Sequence, residues 1–336
     1  MAVLGNTVLN LSDIAKREEV GMPAKIAYLL EQELSLFSSM SMVPTNKTTS
    51  HLTTVQTGEP TVSLKALNVG TVSSKGTVEQ QEDGLMMLEA WSTTDAELLK
   101  FSVDKAAVRA GEGRMFISAM RKAAEGYLLY GNVTTDPKQI NGLSVRDPWN
   151  SLGDQCLGCA GTGSDLSSIW LIVSSPETIF MTYPMNSVGG LDHKDWGPQI
   201  IQTDTNLGGA KLGAVVDQWL WALGLVTKDQ RFAVRICNIE NVDVLGVSGT
   251  QELADYTTNI RYRMTQAYHR IWNINMGTAF WLMPRIIAEG FAIQAQATLS
   301  ANGFTFEQIS GRKILSYMGI PIKISDQLLN TETQVS

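Results

Sequence analysis

The residues from His51 to Ala90, 40 in all, are dominated by Thr, Val, Ser, Gly and Lys and supply almost no large apolar side chains. Thr53, Val55 and Thr57 alternate before Gly58–Glu59–Pro60 turns the chain. Val62, Leu64 and Ala66 alternate again, and Asn68 to Gly76 forms a second break. β-branched residues bounded by Gly, Pro and Asn are strand signals. An isolated hairpin of this kind is marginal in water, so the segment has to lie against something else.

The pattern then changes abruptly. From Asp95 the period becomes helical, with Thr94 or Asp95 available as a cap. Phe116, Ala119, Met120, Ala123, Tyr127 and Tyr130 fall on one apolar face, and Gly131–Asn132 ends it. Gly111, Gly113 and Gly126 each cost up to ~1 kcal/mol against Ala. A helix that keeps them is held by tertiary contacts or bends there. An extended arm rooted beside a long helix suits a subunit that reaches onto its neighbours.

The totals agree with an assembly. The chain has 336 residues, room for two or three compact units. Charged residues make up 18%, against a usual share of about 25%, which fits a surface partly covered by other subunits. Net charge is −7 with no long basic block, so tight phosphate-backbone binding is not the main task. Three cysteines, Cys156, Cys159 and Cys237, argue for a reducing compartment rather than a disulfide framework. Neither a secretory signal nor a run near the ~20 apolar residues of a membrane span is visible. The expectation is a chain made in the cytoplasm, with no membrane partner.

Ser12 is positioned to cap a short helix, and a second helix is expected from Pro23 through Ile26, Leu29, Leu30, Leu34 and Phe37. Residues 132–168 are punctuated as loops, Ile169–Val173 and Thr178–Thr182 form short strands, and Ser187–Gln199 forms another loop. Val215, Trp219, Trp221, Leu223 and Leu225 share a strand face interrupted by Asp217. After a turn near Lys228–Asp229, Phe232, Val234 and Ile236 alternate with Arg231, Ala233 and Arg235. Together these predict a half-buried hairpin with one solvated or subunit-facing side. Leu253 to Ile271 is an amphipathic helix, Thr278–Met283 a strand, and Pro284 opens a helix to about Ala297. A hairpin over Phe304–Ile309 and Lys313–Tyr317 precedes a last strand at Ile320, Ile322 and Ile324.

Several separated segments, in order, carry a resemblance. They are LSDIAKRE (11–18), TTVQTGEPTVSLKALNVGTVSSKGT (53–77), LEAWSTTDAELLK (88–100) and GYLLYGN (126–132). GTGSDLSSIWLIV (161–173), YPMNSVGGLDHKDWG (183–197), DQRFAVRICNI (229–239) and YMGIPIKISDQLLNTET (317–333) follow. Over nearly its whole length the chain resembles the major capsid proteins of epsilon15-like and related podoviruses. The resemblance implies an α+β HK97-like phage capsid fold. It implies an N-terminal arm (1–50), an extended β-loop (51–90) and a long spine helix (about 104–131). It places a peripheral domain in 91–150 and 205–245 and an axial domain in 151–204 and 246–336.

The function so implied is self-assembly, as hexamers and pentamers, into an icosahedral shell, of T=7 geometry, enclosing double-stranded DNA that is contacted non-specifically. Its implied place is the virion, after assembly in the host cytoplasm, with portal and decoration (cement) proteins as further partners. Some relatives carry a removable N-terminal scaffolding segment. Here the arm starts almost at once, so a separate scaffolding protein is expected. No cofactor, metal or catalytic residue is implied. Some relatives also cross-link a loop lysine; Lys65 and Lys75 lie in the matching loop, but no partner motif accompanies them.

The candidate subunit-contact residues are Pro60, Leu64, Lys65, Lys75, Trp91, Arg109, Arg114, Arg121, Asp192, His193, Lys194, Trp219 and Trp221. Arg109, Arg114, Arg121 and Lys122 give the long helix a basic side, suited to packaged DNA, to an acidic neighbour or simply to solvent. Trp219 and Trp221 are strand-core or interface anchors. Asp192-His193-Lys194-Asp195 is the densest polar cluster and could suggest acid–base chemistry, but no nucleophile motif such as G-x-S-x-G joins it, which leaves a surface or interface turn. Cys156-Leu-Gly-Cys159 has the spacing of half a zinc site without a second ligand pair. Gly161-Thr162-Gly163-Ser164 lacks the Lys and following helix of a phosphate loop. Readings of other classes are a homo-oligomeric α/β hydrolase, a carbohydrate-binding protein, or a tail or portal component.

Overall fold

A computed structural model describes residues 18–19, 22–23, 32–102, 104–159, 161–187, 189–204, 210–241, 252–297, 304–309 and 312–336. In chain order the strands are β1 (Glu18–Glu19), β2 (Met22–Pro23), β3 (Met42–Pro44), β4 (Ser50–Gly58), β5 (Thr77–Asp95), β6 (Cys156–Gly158), β7 (Leu166–Ser174), β8 (Ile179–Tyr183), β9 (Asp192–Asp204), β10 (Ala210–Thr227), β11 (Ala233–Glu240), β12 (Thr278–Met283), β13 (Phe304–Ile309), β14 (Arg312–Tyr317) and β15 (Ile320–Ile324). The helices are α1 (Leu36–Ser39), α2 (Lys105–Tyr130), α3 (Glu252–Arg270) and α4 (Arg285–Ala297). The expected helix around Ser12 lies outside the described residues, as does most of the one from Pro23 to Phe37; Pro23 itself is in β2.

Two compact units emerge. One holds Met87–Ala124 and Gly190–Ala222 with the described part of Met1–Gln32. The other holds Glu33–Met86, Glu125–Gly189 and Leu223–Ser336.

The larger unit is organised around β7, whose nine residues are all buried. That is the consequence of a near-continuous apolar run placed between neighbours on both edges. β11 and β12 each pair with β7 antiparallel. β15 runs parallel to β12, and β13, β14 and β15 follow as an antiparallel meander. β6 lies parallel to β11, and β3 parallel to β8. Trp149, Trp170, Trp281, Phe180, Phe232, Phe280 and Phe291 form the fully buried centre. The Trp149 indole N–H donates to the Ala233 carbonyl at 2.9 Å, so its one polar atom is satisfied inside the core. From α3, Ile260, Met264 and Ala267 are buried, and from α4 Ile287, Ala288 and Phe291; these are the stripes the helical period predicts.

β4 and the first part of β5 make a ribbon, Ser50 opposite Gly84 through Gly58 opposite Thr77. The alternation at Val62–Ala66 predicts a further strand, and the structure does not form one. Residues 59–76 are irregular apart from a turn at 67–68, and all are exposed. With nothing on either face, alternation alone has no burial to reward it. Asn68 takes φ 65° at the turn, a conformation Asn tolerates.

In the smaller unit, β9 pairs antiparallel with β10 over almost its whole length. The sequence expectation of a loop at Ser187–Gln199 is therefore corrected: Asp192–Asp195 sit in a strand, not a turn. Gly197 and Pro198 mislead because they lie at a bulge. The register slips between Val216 and Asp217, and Gly197 absorbs it with φ 67°.

α2 begins later than the Thr94 or Asp95 cap implies. Those residues end β5, where Asp95 Oδ1 accepts from the Glu97 amide at 2.9 Å. The actual cap is Asp104, whose Oδ1 accepts from the Ala106 and Ala107 amides at 2.9 and 3.1 Å. At 26 residues the helix is about 39 Å long. Its buried stripe runs through Val108, Met120, Ala124, Leu128 and Leu129, whereas Ala119 and Ala123 are exposed. The phase differs from the predicted face because Glu125 is wholly buried, with Ser325 Oγ donating to it.

The expected hairpin of β10 and β11 does not form either. β10 pairs with β9 and, at Gly224–Thr227, with β8, while β11 pairs with β6 and β7. β11 is buried on both faces, including Arg235. An alternating charge reads as a solvated face only if no buried partner waits for it.

Candidate functional site: paired charges, anchors and an exposed loop

Within the smaller unit, α2, β9 and β10 bring together four of the singled-out side chains or their immediate neighbours. Register places Asp195 directly opposite Asp217 and His193 opposite Trp219. Two like charges so placed repel. The Arg109 guanidinium reaches both. Its Nη2 is 2.7 Å from Asp217 Oδ1 and 2.8 Å from Asp195 Oδ2, and its Nε donates to Asp217 Oδ2 at 3.1 Å. The hydrogen bond to Asp217 holds Arg109 firmly charged, and the guanidinium keeps the Asp195 carboxyl below the usual carboxylate range. His193 Nε2 lies 3.1 Å from Asp217 Oδ1.

Trp219 is stacked between two rings, Phe116 at 5.1 Å and His193 at 5.2 Å. Gly113 allows the approach, since a Cβ there would stand 3.2 Å from the Trp219 ring. Here is the tertiary contact that offsets one helical glycine. A cavity of about 530 Å³ opens beside these groups, lined by Arg109, Gly113, Arg114, His193, Asp195 and Trp219 among others. None of its lining residues is a Ser, Thr or Cys. Trp91 stacks on Trp196 at 6.2 Å, and Lys194 Nζ lies 3.7 Å over the same Trp196 ring. Arg114, Arg121 and Asp192 are exposed, while Trp221 is buried.

The remaining candidates belong to the larger unit. Pro60, Leu64, Lys65 and Lys75 all project from the irregular 59–76 segment. Val62, Leu64, Leu67 and Val72 are each about nine-tenths exposed or more. At the root of the ribbon, Arg146 Nη1 pairs with Asp83 Oδ1 at 2.7 Å, with each side chain 9% exposed, and Arg146 Nη2 donates to the Leu225 carbonyl at 2.8 Å.

Sequence reasoning missed three polar clusters. Arg146–Asp83 is one. Arg235–Glu332 is another, at 2.9 Å with each side chain 5% exposed. Ser168 Oγ also donates to Glu332, as does the Tyr130 hydroxyl at 2.5 Å, and Arg235 Nη1 donates to the Trp149 carbonyl at 3.0 Å. Burial and the neighbouring Glu332 charge push the Tyr130 phenol well up. The third is Cys156 with Cys237, not Cys159, as its near neighbour, the sulfurs 3.5 Å apart. The available signal was a charged residue embedded in an apolar strand, Asp217 in β10 and Arg235 in β11, which predicts a buried counter-charge.

Gly161–Ser164 does form an anion cradle, but the chain fills it itself: Glu240 Oε1 accepts from the Thr162 and Gly163 amides at 2.7 and 2.9 Å. Among the described residues no cluster of three metal-ligating side chains occurs, and no helix is long and apolar enough to cross a membrane.

A family model described as major capsid protein GP7 matches residues 18–336. The chain belongs to that family. This capsid protein is similar over its full length to a chain in the structure of bacteriophage epsilon15, with 26% identity, coverage of 100% and 99% of the two chains, and a TM-score of 0.71. Its fold is the HK97-like capsid fold, α+β in composition. Weaker likenesses are to the bacteriophage JBD30 capsid (8% identity, 89% and 92% covered, TM-score 0.47) and to the capsid of a native GTA particle (10%, 64% and 93%, 0.45). No curated protein sequence matches it. The capsid protein's role is structural: copies of it form the multimeric shell of a phage virion.

Proposed function

We propose that the irregular 59–76 segment is the reach of the subunit, laid across a neighbouring copy, and that Pro60, Leu64, Lys65 and Lys75 are contact residues. The observation behind this is the group of apolar side chains at Val62, Leu64, Leu67 and Val72 held in water. At roughly 25 cal/mol per Å² of apolar surface covered, such side chains favour a partner surface. Several weak contacts per subunit suffice, because each subunit is held by many at once.

On this reading residues 91–150 and 205–245 form the peripheral domain and 151–204 and 246–336 the axial domain around each hexamer or pentamer. Trp91, Arg109, Arg114, Arg121, Asp192–Lys194, Trp219 and Trp221 belong to faces at or just beneath subunit contacts. The protein has no catalytic activity; a separate scaffolding protein guides assembly in the host cytoplasm, and a portal protein occupies one vertex of a T=7 shell. A decoration protein can bind outside, and DNA is contacted without sequence preference. The charge balance, with no basic block, supports that last point.

Deleting residues 59–76 while keeping the paired strands β4 and β5 tests the central claim. The expected product is a folded, soluble subunit that sediments without closed shells when co-expressed with its candidate scaffold. Normal particles from this deletion would refute the assignment. His193→Ala separates the enzymatic alternative, since a capsid protein bearing it still assembles.

A further inference from the structure

Cys156 and Cys237 stand in a relationship that shell formation does not require. β6 and β11 are parallel, with Cys156 opposite Arg235 and Gly158 opposite Cys237. Cys156 is therefore two residues diagonal from Cys237 and on the same face of the sheet. The sulfurs are 3.5 Å apart, both thiols are reduced, and both are buried. A disulfide needs about 2.05 Å, so closure asks the sulfurs to approach by about 1.5 Å. β6 has only three residues, the last of them Gly158, and Gly153 lies three positions before the first, so β6 is a short element able to make that adjustment.

Cys156 is 1% and Cys237 0% exposed, so a reagent reaches them only when the short strand β6 opens locally. Cys156 lines a cavity of about 450 Å³ whose walls include Leu152, Gly153, Arg263 and Arg270. Two arginines on the wall suit a small anionic reagent. We propose that Cys156 and Cys237 are a redox-responsive pair that closes to an intrachain disulfide when the protein meets a low-molecular-weight disulfide such as oxidised glutathione.

The local chemistry sets the order of events. The hydrogen bond from Cys237 and the Arg235 charge favour the Cys156 thiolate, whereas Cys237 is pushed up by that same hydrogen bond and by burial. Burial alone pushes the Cys159 thiol up to about 12, which makes it a bystander. The Cys156 thiolate attacks one sulfur of the reagent and expels a thiolate, leaving a mixed disulfide. Cys237, losing its proton, then attacks the Cys156 sulfur and expels the second thiolate. The two protein protons go to the two departing thiolates. In total two cysteine thiols are oxidised and one reagent disulfide is reduced to two thiols.

The test treats assembled shells with oxidised glutathione near pH 8, blocks free thiols under denaturing conditions, and maps peptides without reduction. The expected result is loss of two free thiols per chain, a linkage between the Cys156 and Cys237 peptides, and Cys159 still free. Cys237→Ser is expected to stall with a single glutathione on Cys156. Three free thiols per chain after treatment, a linkage through Cys159, or an adduct-free Cys237→Ser protein would each overturn the assignment. Mapping of the unsubstituted chain decides the matter even where the variant does not fold.

Discussion

Asp195 and Asp217 face each other across β9 and β10, and the single guanidinium of Arg109 pairs with both. Replacing Arg109 by Met leaves two opposed carboxylates, one of them buried. The expected cost is about 1–3 kcal/mol, at the lower end of what a broken ion pair gives because Arg109 and Asp195 are partly solvated. The pH response identifies the cause. In the native protein the Asp195 carboxyl is depressed, so its contribution is present above its unfolded value of about 3.9 and is lost as pH falls through the lower folded value. In Arg109→Met the sign reverses: the crowded carboxylates are raised, and stability falls as pH rises through that range. Thermal melts from pH 3 to 7 read the difference; parallel curves for the two proteins would contradict it.

Trp219→Ala removes the ring held between Phe116 and His193, at an expected cost of about 3–5 kcal/mol. Gly113→Val is the companion test. Its Cβ would already press on the Trp219 ring, so the substitution is expected to destabilise by about 1–3 kcal/mol despite a better helix propensity than Gly. Urea unfolding followed by tryptophan fluorescence measures both. A stabilised Gly113→Val protein would show that the helix and the ring are not in contact.

Arg235→Met leaves the Glu332 carboxylate buried with only its hydroxyl donors, at an expected 3–5 kcal/mol. The double variant Arg235→Met, Glu332→Leu is expected to recover most of that loss, since an apolar pair in the same volume carries no unpaired charge. Equal stability of the single and double variants would mean that the ion pair is not what fixes these residues.

Arg146→Met acts on the root of the ribbon. It strands the Asp83 carboxylate, and amide exchange is expected to accelerate across residues 50–58 and 77–84 while β7 stays protected. Uniform acceleration through both regions would place Arg146 in the general core instead.

Periodicity made much of this fold legible. The central strand β7, the helices α3 and α4 and the C-terminal meander follow directly from apolar runs and stripes. The errors share a physical origin. A strand was expected at Val62–Ala66 from alternation, which is only a signal of burial, and nothing there is buried. The loop expected at Ser187–Gln199 gives way to strand β9 from Asp192 on, because Gly197 and Pro198 mark a bulge as readily as a turn. The β10–β11 hairpin failed because neighbours in sequence found better partners elsewhere, a tertiary choice that no local pattern carries. The charged partners Arg146, Asp83 and Glu332 were silent for the same reason: each lies more than 60 residues from the group it neutralises.

Val62, Leu64, Leu67 and Val72 bear on timing. Every newly synthesised copy carries these four side chains uncovered, because they pack against nothing in their own subunit. With the contact role proposed for them, they would make a free chain prone to associate with any apolar surface it meets. A slow supply of subunits would then favour the edges of growing shells, and a burst would favour encounters between free chains.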